Sequence, residues 1–248
     1  MTSSPCFVIL GATGGIGSDL CRRLAASGAC LILGGRDEGK LSTLAEVTGG
    51  HAYVLDATVP GAVDGCFHYA LELHGRIDGA VNCIGSLLLK SAHLTSDTEW
   101  DATIATNLTT AFAIVRAGAK AMMTTGGSIV LVSSAAARVG LANHEAIAAA
   151  KAGIIGLTLA AAASYATRGI RVNCVAPGLV RTPLTARLTA SEAMFKASLA
   201  MHPLGRVGEP GDVASAIAWL LDSQQAWITG QVIGIDGGLA TLRPRGGP

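Results

Sequence analysis

The chain has 248 residues, 50% hydrophobic and only 14% charged, with a mean hydropathy of +0.48 and a formal net charge of +1. That length suits one large α/β domain or two small ones, and without a linker it reads as a single domain over 1–248. The near-neutral balance, with no Lys/Arg cluster, argues against a nucleic-acid or membrane partner, and the excess apolar surface points to contacts between subunits.

Phe7 to Leu10 is a short, uncharged, partly β-branched run, the pattern of a parallel strand buried on both faces. Gly11, Gly15 and Gly17 follow it in CFVILGATGGIG, and a helix is expected over 16–27. Such a turn lets the chain reverse sharply, lets backbone approach a pyrophosphate, and lets helix and strand pack closely. The helix N-terminus then offers free N–H groups and a positive dipole end to the anion. A second strand, 30–34, leaves through Gly35-Arg36-Asp37. Folds that take NAD place an acid near this exit; here two glycines and Arg36 suit a 2′-phosphate, with the Thr13 hydroxyl on the same side. The alternative is that Arg36 is a solvated charge beside Asp37.

A third strand, 52–55, ends at Asp56, and a fourth, from Ile77 to Asn82, leads into VNCIG. Alternation of strand and helix implies right-handed crossovers and a parallel sheet, which binds ligands at the carboxyl ends of its strands. Asp56, Asn82 and Gly85 fall there, although Asp56 reads equally well as a helix cap. A long helix is expected over 101–123 and a fifth strand over 128–132, ending at Ser133-Ser134. The helix expected over 143–167 is apolar nearly all round, so it cannot be an ordinary surface helix. Its lone interior charge, Lys151, must reach water or a polar partner such as ribose hydroxyls. The uncharged stretch 152–163 is too short to span a bilayer. A sixth strand, 171–176, is broken by Pro177-Gly178, and 179–202 reads as a flap over a cleft. A helix over 212–221, a seventh strand over 231–235 and an exposed basic tail, 243–248, end the chain. The cysteines at 6, 21, 30, 66, 83 and 174 form no C-x-x-C pair and no metal-ligand pattern. With no signal pattern at 1–5, they imply a reducing compartment, the cytoplasm.

Several pieces together resemble the short-chain dehydrogenase/reductase family over essentially the whole chain: GATGGIG at 11–17, Asp56, VNCIG at 81–85, Asn107 in TNL, Ser134 after IVLVS, Lys151, NCVAPGLVRT at 173–182, and GEPGDVA through ITGQVIGIDGG. The last third is most similar to 3-oxoacyl-carrier-protein reductases. The resemblance implies a doubly wound parallel sheet of about seven strands with helices on both faces. It also implies hydride transfer to or from a small carbonyl or alcohol, and a homotetramer. The cofactor, which Arg36 makes NADP(H), would be held by Gly11, Thr13, Gly15, Ile16, Gly17, Arg36, Asp56, Asn82, Gly85, Lys151, Pro177, Gly178 and Thr182. Ser134 would bond the substrate oxygen, Lys151 would hold the nicotinamide ribose, and Asn107 would order water.

One member of the family's catalytic set is missing. Its tyrosine stands four residues before the lysine, and that place holds Ile147. Tyr53 and Tyr69 precede the fourth strand and Tyr165 lies far along the Lys151 helix. Two other departures, Cys83-Ile84 for the usual Asn-Ala and Leu10 for Thr, read as packing changes. In divergent members, the enoyl reductases among them, the tyrosine stands seven residues before the lysine, which is where His144 lies. Two turns on one helix face would bring His144 toward Lys151 as a modified proton donor. Against this, Asn143 could cap the helix and Glu145 complement its positive end. The expected function is an NADP(H)-dependent reductase of a small carbonyl. The alternatives are an enoyl reductase, and a cofactor-binding sensor or assembly subunit that has lost the chemistry.

Overall fold

The computed structural model describes residues 4–243; residues 1–3, and the expected tail beyond Arg243, lie outside them. Strand β1 (Cys6–Leu10) is buried at all five positions because its side chains alternate between two cores. Val8 and Leu10 pack on one face with Ile32, Ile114, Ile129 and Ile154. Phe7 and Ile9 pack on the other with Leu20, Leu33, Val130 and Ile217. A fully buried side chain such as Ile9 contributes about 1.5–3 kcal/mol from removal of apolar surface from water.

The chain then runs α1 (Gly15–Ala26), β2 (Cys30–Gly35), α2 (Glu38–Thr48), β3 (His51–Val54), α3 (Ala62–His74) and β4 (Gly79–Asn82). It continues through α4 (Asp97–Ile104), α5 (Thr110–Met122), β5 (Gly127–Val132), α6 (Glu145–Tyr165) and β6 (Ile170–Pro177). The last elements are α7 (Ala186–Ala190), α8 (Glu192–Met201), α9 (Pro210–Leu221) and β7 (Val232–Ile235). The seven strands form one sheet in the order β3-β2-β1-β4-β5-β6-β7, and every pair is parallel. The doubly wound parallel sheet expected from the sequence is therefore present. Its order reverses between β1 and β4, where such sheets open a ligand crevice.

Three boundaries differ from the sequence reading in ways that matter. The helix expected over 101–123 begins earlier, at Asp97, behind a capping box in which Ser96 and Glu99 satisfy each other's backbone N–H groups. It is also broken: a wide, π-type turn at Ala105–Thr109 separates α4 from α5. The helix expected to begin at Asn143 begins at Glu145, with His144 in the capping position. Asn143 is instead left-handed (φ 62°), its side-chain oxygen accepting from Ser91 Oγ and its carbonyl from Lys90 N–H.

The helical run Glu145–Arg168 is long and apolar enough to cross a membrane by composition. It instead lies on the sheet with one face, including Ile147, Ala150, Ile154, Thr158 and Ala161, buried, while apolar residues such as Leu159 on another face stay exposed.

Candidate active site

The crevice between β1 and β4 is closed by backbone. Gly11 leaves β1 at φ +74°, and a Cβ there would lie 2.8 Å from both Cys83 C and Ile84 N. A Cβ on Gly17 would lie 2.2 Å from Gly11 O, so α1 meets the turn at a distance that excludes any side chain. No side chain caps α1 at Gly14, and no acid lies in its first turn, which leaves N–H groups and a positive dipole facing the crevice. From the far side Thr182 leans over the turn, its Cγ2 2.8 Å from where a Cβ on Gly15 would stand. These features fit a dinucleotide: a donor-rich concavity that a single added methyl would fill.

At the β2 exit, a Cβ on Gly35 would approach Thr13 Oγ1 at 3.6 Å, so Thr13 and the strand end share one small space. Arg36 is exposed beside it. Asp37 is the N-cap of α2, accepting from Lys40 N at 3.0 Å and pairing with its ammonium at 2.8 Å. Asp37 thus has a structural partner in Lys40, and the Arg36 side chain stands exposed next to it. Asp56 does not cap α3, whose N-cap is Gly61. Its carboxylate accepts from Thr58 Oγ1 at 2.7 Å and Thr58 N at 2.9 Å, bonds that hold it below the usual carboxylate range with help from Arg36.

The Asn82 side chain is engaged within the protein: Nδ2 donates to Thr110 Oγ1 at 3.1 Å and Oδ1 accepts from Ile84 N at 3.2 Å. It fixes the turn that carries Cys83 to Gly85. A Cβ on Gly85 would lie 3.3 Å from Asn107 Oδ1 and 3.5 Å from Lys151 Nζ, so three residues far apart in the chain meet at this point.

Asn107 sits inside the wide turn between α4 and α5 and is fully buried. Such turns insert an extra residue into a helix, and they recur at functional sites. Its amide donates to Ser86 Oγ at 2.8 Å and Thr103 O at 2.9 Å, while Oδ1 accepts from Ser86 N at 3.1 Å and keeps a second lone pair. Ser86 is a partner that the sequence reading did not single out. Lys151 is buried in α6, and Nζ donates to Val132 O at 3.0 Å. Burial disfavours the charged ammonium and brings it down to about 8, against the opposing pull of Cys174 and Cys83. Ser133, which the sequence placed only at a strand end, ties α6 to β5 by donating to Lys151 O at 2.8 Å. Ser134 stands next to it, its Oγ accepting from Ala136 N at 3.2 Å with its own hydrogen available.

Ile147 is buried in the same helix, one turn before Lys151. His144 lies at the head of α6, with Nδ1 2.7 Å from Ala142 O and no hydrogen bond to Asn107, Ser134 or Lys151. A carbonyl only accepts, so Nδ1 carries the hydrogen and Nε2 is the nitrogen left for other partners. Tyr53 and Tyr69 pack against each other with tilted rings, centroids 5.4 Å apart, and Tyr165 ends α6. At the end of β6 Pro177 still pairs with Ile235, so the strand runs one residue past its expected end, and Gly178 leads into the segment 179–202 that contains α7 and α8.

The model of the family described as enoyl-(acyl carrier protein) reductase matches residues 11–240. The 3-oxoacyl-[acyl-carrier-protein] reductase FabG of Thermotoga maritima is 37% identical over 94% of this chain and 96% of its own length. The (2S)-[(R)-hydroxy(phenyl)methyl]succinyl-CoA dehydrogenase subunit BbsD of Thauera aromatica is 33% identical over 93% of this chain and 94% of its own. A variant of actinorhodin polyketide ketoreductase, solved with NADPH, superimposes with a TM-score of 0.91 at 28% identity, covering 98% of this chain and all of that one. With the fold, the glycine cradle and the meeting of Asn107 with Lys151 already in place, these matches over nearly the full length show that the chain belongs to the short-chain dehydrogenase/reductase family of oxidoreductases.

Proposed function

We propose that the protein is an NADP(H)-dependent oxidoreductase that reduces a small carbonyl compound with a proton donor other than tyrosine. The observation that carries this reading is the convergence of Asn107 Oδ1 and Lys151 Nζ on Gly85, beside the N-terminus of α1, which no side chain caps. A relative solved with NADPH and a 3-oxoacyl reductase relative support the same choice. When bound, the nicotinamide supplies the hydride.

The chain's own residues would do the rest. The first turn of α1 with Gly15, Ile16 and Gly17 takes the pyrophosphate, Thr13 and Arg36 take the 2′-phosphate, and Asp56 lies on the adenosine side. Gly178 to Thr182 closes over the crevice. Ser134 Oγ–H donates to the substrate oxygen and Lys151 holds ribose hydroxyls while its charge favours the developing alkoxide. Asn107 accepts a water through its remaining lone pair. The proton comes from His144 Nε2, the ring acting as an imidazolium, or from water relayed by Ser134.

A second reading is favoured by one observation: Ile147 is 3% exposed and fills the place of the phenol with hydrocarbon. On that reading the protein binds NADP(H) as a sensor or assembly subunit without turnover. NADPH binding by fluorescence, followed by NADPH consumption with 3-oxoacyl thioesters, other small ketones and enoyl thioesters, tests both. Tight binding with carbonyl-dependent consumption supports the first reading; tight binding with no consumption supports the second; no binding defeats both. Consumption with enoyl thioesters alone would make it an enoyl reductase.

We further infer a cytoplasmic homotetramer. Trp100, Phe112 and Leu159 are 43%, 50% and 52% exposed on α4, α5 and α6, and pairing these helices across two-fold axes would bury them. A monomeric mass in light scattering at micromolar concentration would overturn this. The described cysteines are all unpaired, and burial pushes the Cys66 and Cys83 thiols up to about 12, as suits unreactive residues in a reducing compartment.

A further inference from the structure

We propose that His202 is a positioning residue: in its neutral form it clasps the two roots of the 179–202 flap and holds Gly178 to Thr182 against the glycine turn. The claim about cofactor affinity rests on the function proposed above. The claim about the flap does not.

His202 ends α8 and is buried, unlike the other described histidines, which are half-buried or exposed. Nδ1 lies 2.7 Å from Ser198 O, and Nε2 lies 3.1 Å from Leu179 N. The carbonyl can only accept and the amide can only donate, so a single neutral tautomer satisfies both contacts. Protonation would place a hydrogen on Nε2 facing the Leu179 N–H, donor against donor. The bond to Leu179 joins residues 23 apart in the chain and so closes the whole of the flap. Gly178 makes room for it: a Cβ there would lie 2.6 Å from Nε2.

The charged groups around the ring are engaged elsewhere. Asp236 accepts from Gly238 N at 2.9 Å and Ala240 N at 3.1 Å. Arg206 and Asp212, across a cavity of about 390 Å³ that His202 also lines, pair with each other at 2.6 and 2.8 Å. Glu192 and Lys196 on α8 pair together, and Arg181 pairs with Glu209. Both ring nitrogens therefore meet backbone alone, and none of these carboxylates bonds the ring to retain an imidazolium. Gly208 also holds the flap's first root, donating to Leu179 O and accepting from Arg181 N, each at 2.8 Å. The clasp therefore controls the hold on Leu179 rather than the whole loop.

The test uses His202→Gln, whose side-chain oxygen reproduces the Nε2 acceptor without titrating, and His202→Leu, which fills the space without accepting. Flap cleavage in the cofactor-free protein is followed by limited proteolysis and mass spectrometry at about pH 8 and about pH 5.5, a range over which imidazoles protonate. Wild type should be cut about tenfold faster within the flap at the lower pH, His202→Gln slowly at both, and His202→Leu quickly at both. NADPH affinity at the higher pH should be retained in His202→Gln and fall about tenfold in His202→Leu. The proposal is overturned if wild type shows no pH effect or if His202→Gln is as labile as His202→Leu. Should His202→Leu not fold, the wild-type and Gln series decide the matter alone. If the proteolysis pattern holds but wild type binds no NADPH, the clasp stands and the cofactor reading falls.

Discussion

The floor of the crevice and its wall are built from different materials. Around Gly11 and Gly17 the contacts are backbone to backbone, at separations that leave no space for even a methyl group. Around Lys151 the contacts are made by side chains from α6, β5 and the wide turn, and these are exchangeable: on the reading proposed above Ile147 takes the place of a tyrosine, with its hydrocarbon buried and the helix unbroken. A backbone cradle either exists or fails. A side-chain wall can lose a chemical group and keep its shape, so binding and catalysis are separable in this fold.

The sharpest way to break that contrast is Gly17→Ala. With a Cβ 2.2 Å from Gly11 O, α1 must lift from the turn, and we expect about 3 kcal/mol or more of destabilisation with loss of NADPH binding. Gly140→Ala, which meets nothing within 4 Å, should stay within about 0.5 kcal/mol in the same thermal melts. Equal effects at the two sites would erase the distinction between floor and wall.

Next in size are changes to the wall. His144→Phe should lower turnover by about 10²-fold with NADPH affinity unchanged, because general acid catalysis is worth about that much. Ile147→Tyr should raise carbonyl turnover, unless the phenol clashes in a space shaped for Ile. If His144→Phe keeps full rate and an unaltered pH profile, the proton arrives through water instead.

Arg36→Ala should cost NADPH about 1–3 kcal/mol of binding and leave NADH almost untouched. Identical dissociation constants for both cofactors before and after the change would remove Arg36 from the site.

The smallest effect concerns Lys151. Burial holds its ammonium near about 8, well under the unfolded lysine value, so the folded state releases its proton first as pH rises. The unfolded chain then binds more protons between about pH 8 and 10.5, and stability rises with pH through that window. Lys151→Met should therefore raise the melting temperature of the cofactor-free protein by a few degrees at neutral pH, a gain that fades toward pH 10. NADPH affinity of wild type should weaken above about pH 8 as the charge is lost. A stability difference between wild type and Lys151→Met that does not change with pH would mean the lysine is not held down by burial.

Much of this was legible before any coordinates. The glycine turn, the parallel sheet and the family motifs each leave a local pattern: a short buried run, a fixed spacing, a strand end. Long-range pairings leave none. Nothing in the sequence announces that Ser86 completes Asn107, that Ser133 anchors Lys151, or that Asn82 is engaged by Thr110 and Ile84. The helix start at Asn143 misled for a physical reason: asparagine is both a good cap and a tolerant left-handed residue, and here Lys90 and Ser91 select the second role. The Ser96 to Glu99 box, in contrast, is readable as Ser-x-x-Glu and sets the true start of α4.

The wide turn at Ala105–Thr109 has an effect beyond Asn107. An uninterrupted helix advances about 100° per residue, which would set Trp100 and Phe112 about 120° apart. A turn that absorbs one residue reduces this to about 20°, so the two exposed aromatic rings fall in phase along one stripe. One surplus residue thus serves as a register shift, turning an amide inward to the crevice while aligning rings outward. Deleting a single residue from this turn would restore an ordinary helix with the two rings still about 20° apart, so the inward bulge that carries Asn107 would be lost while the outward stripe kept its phase.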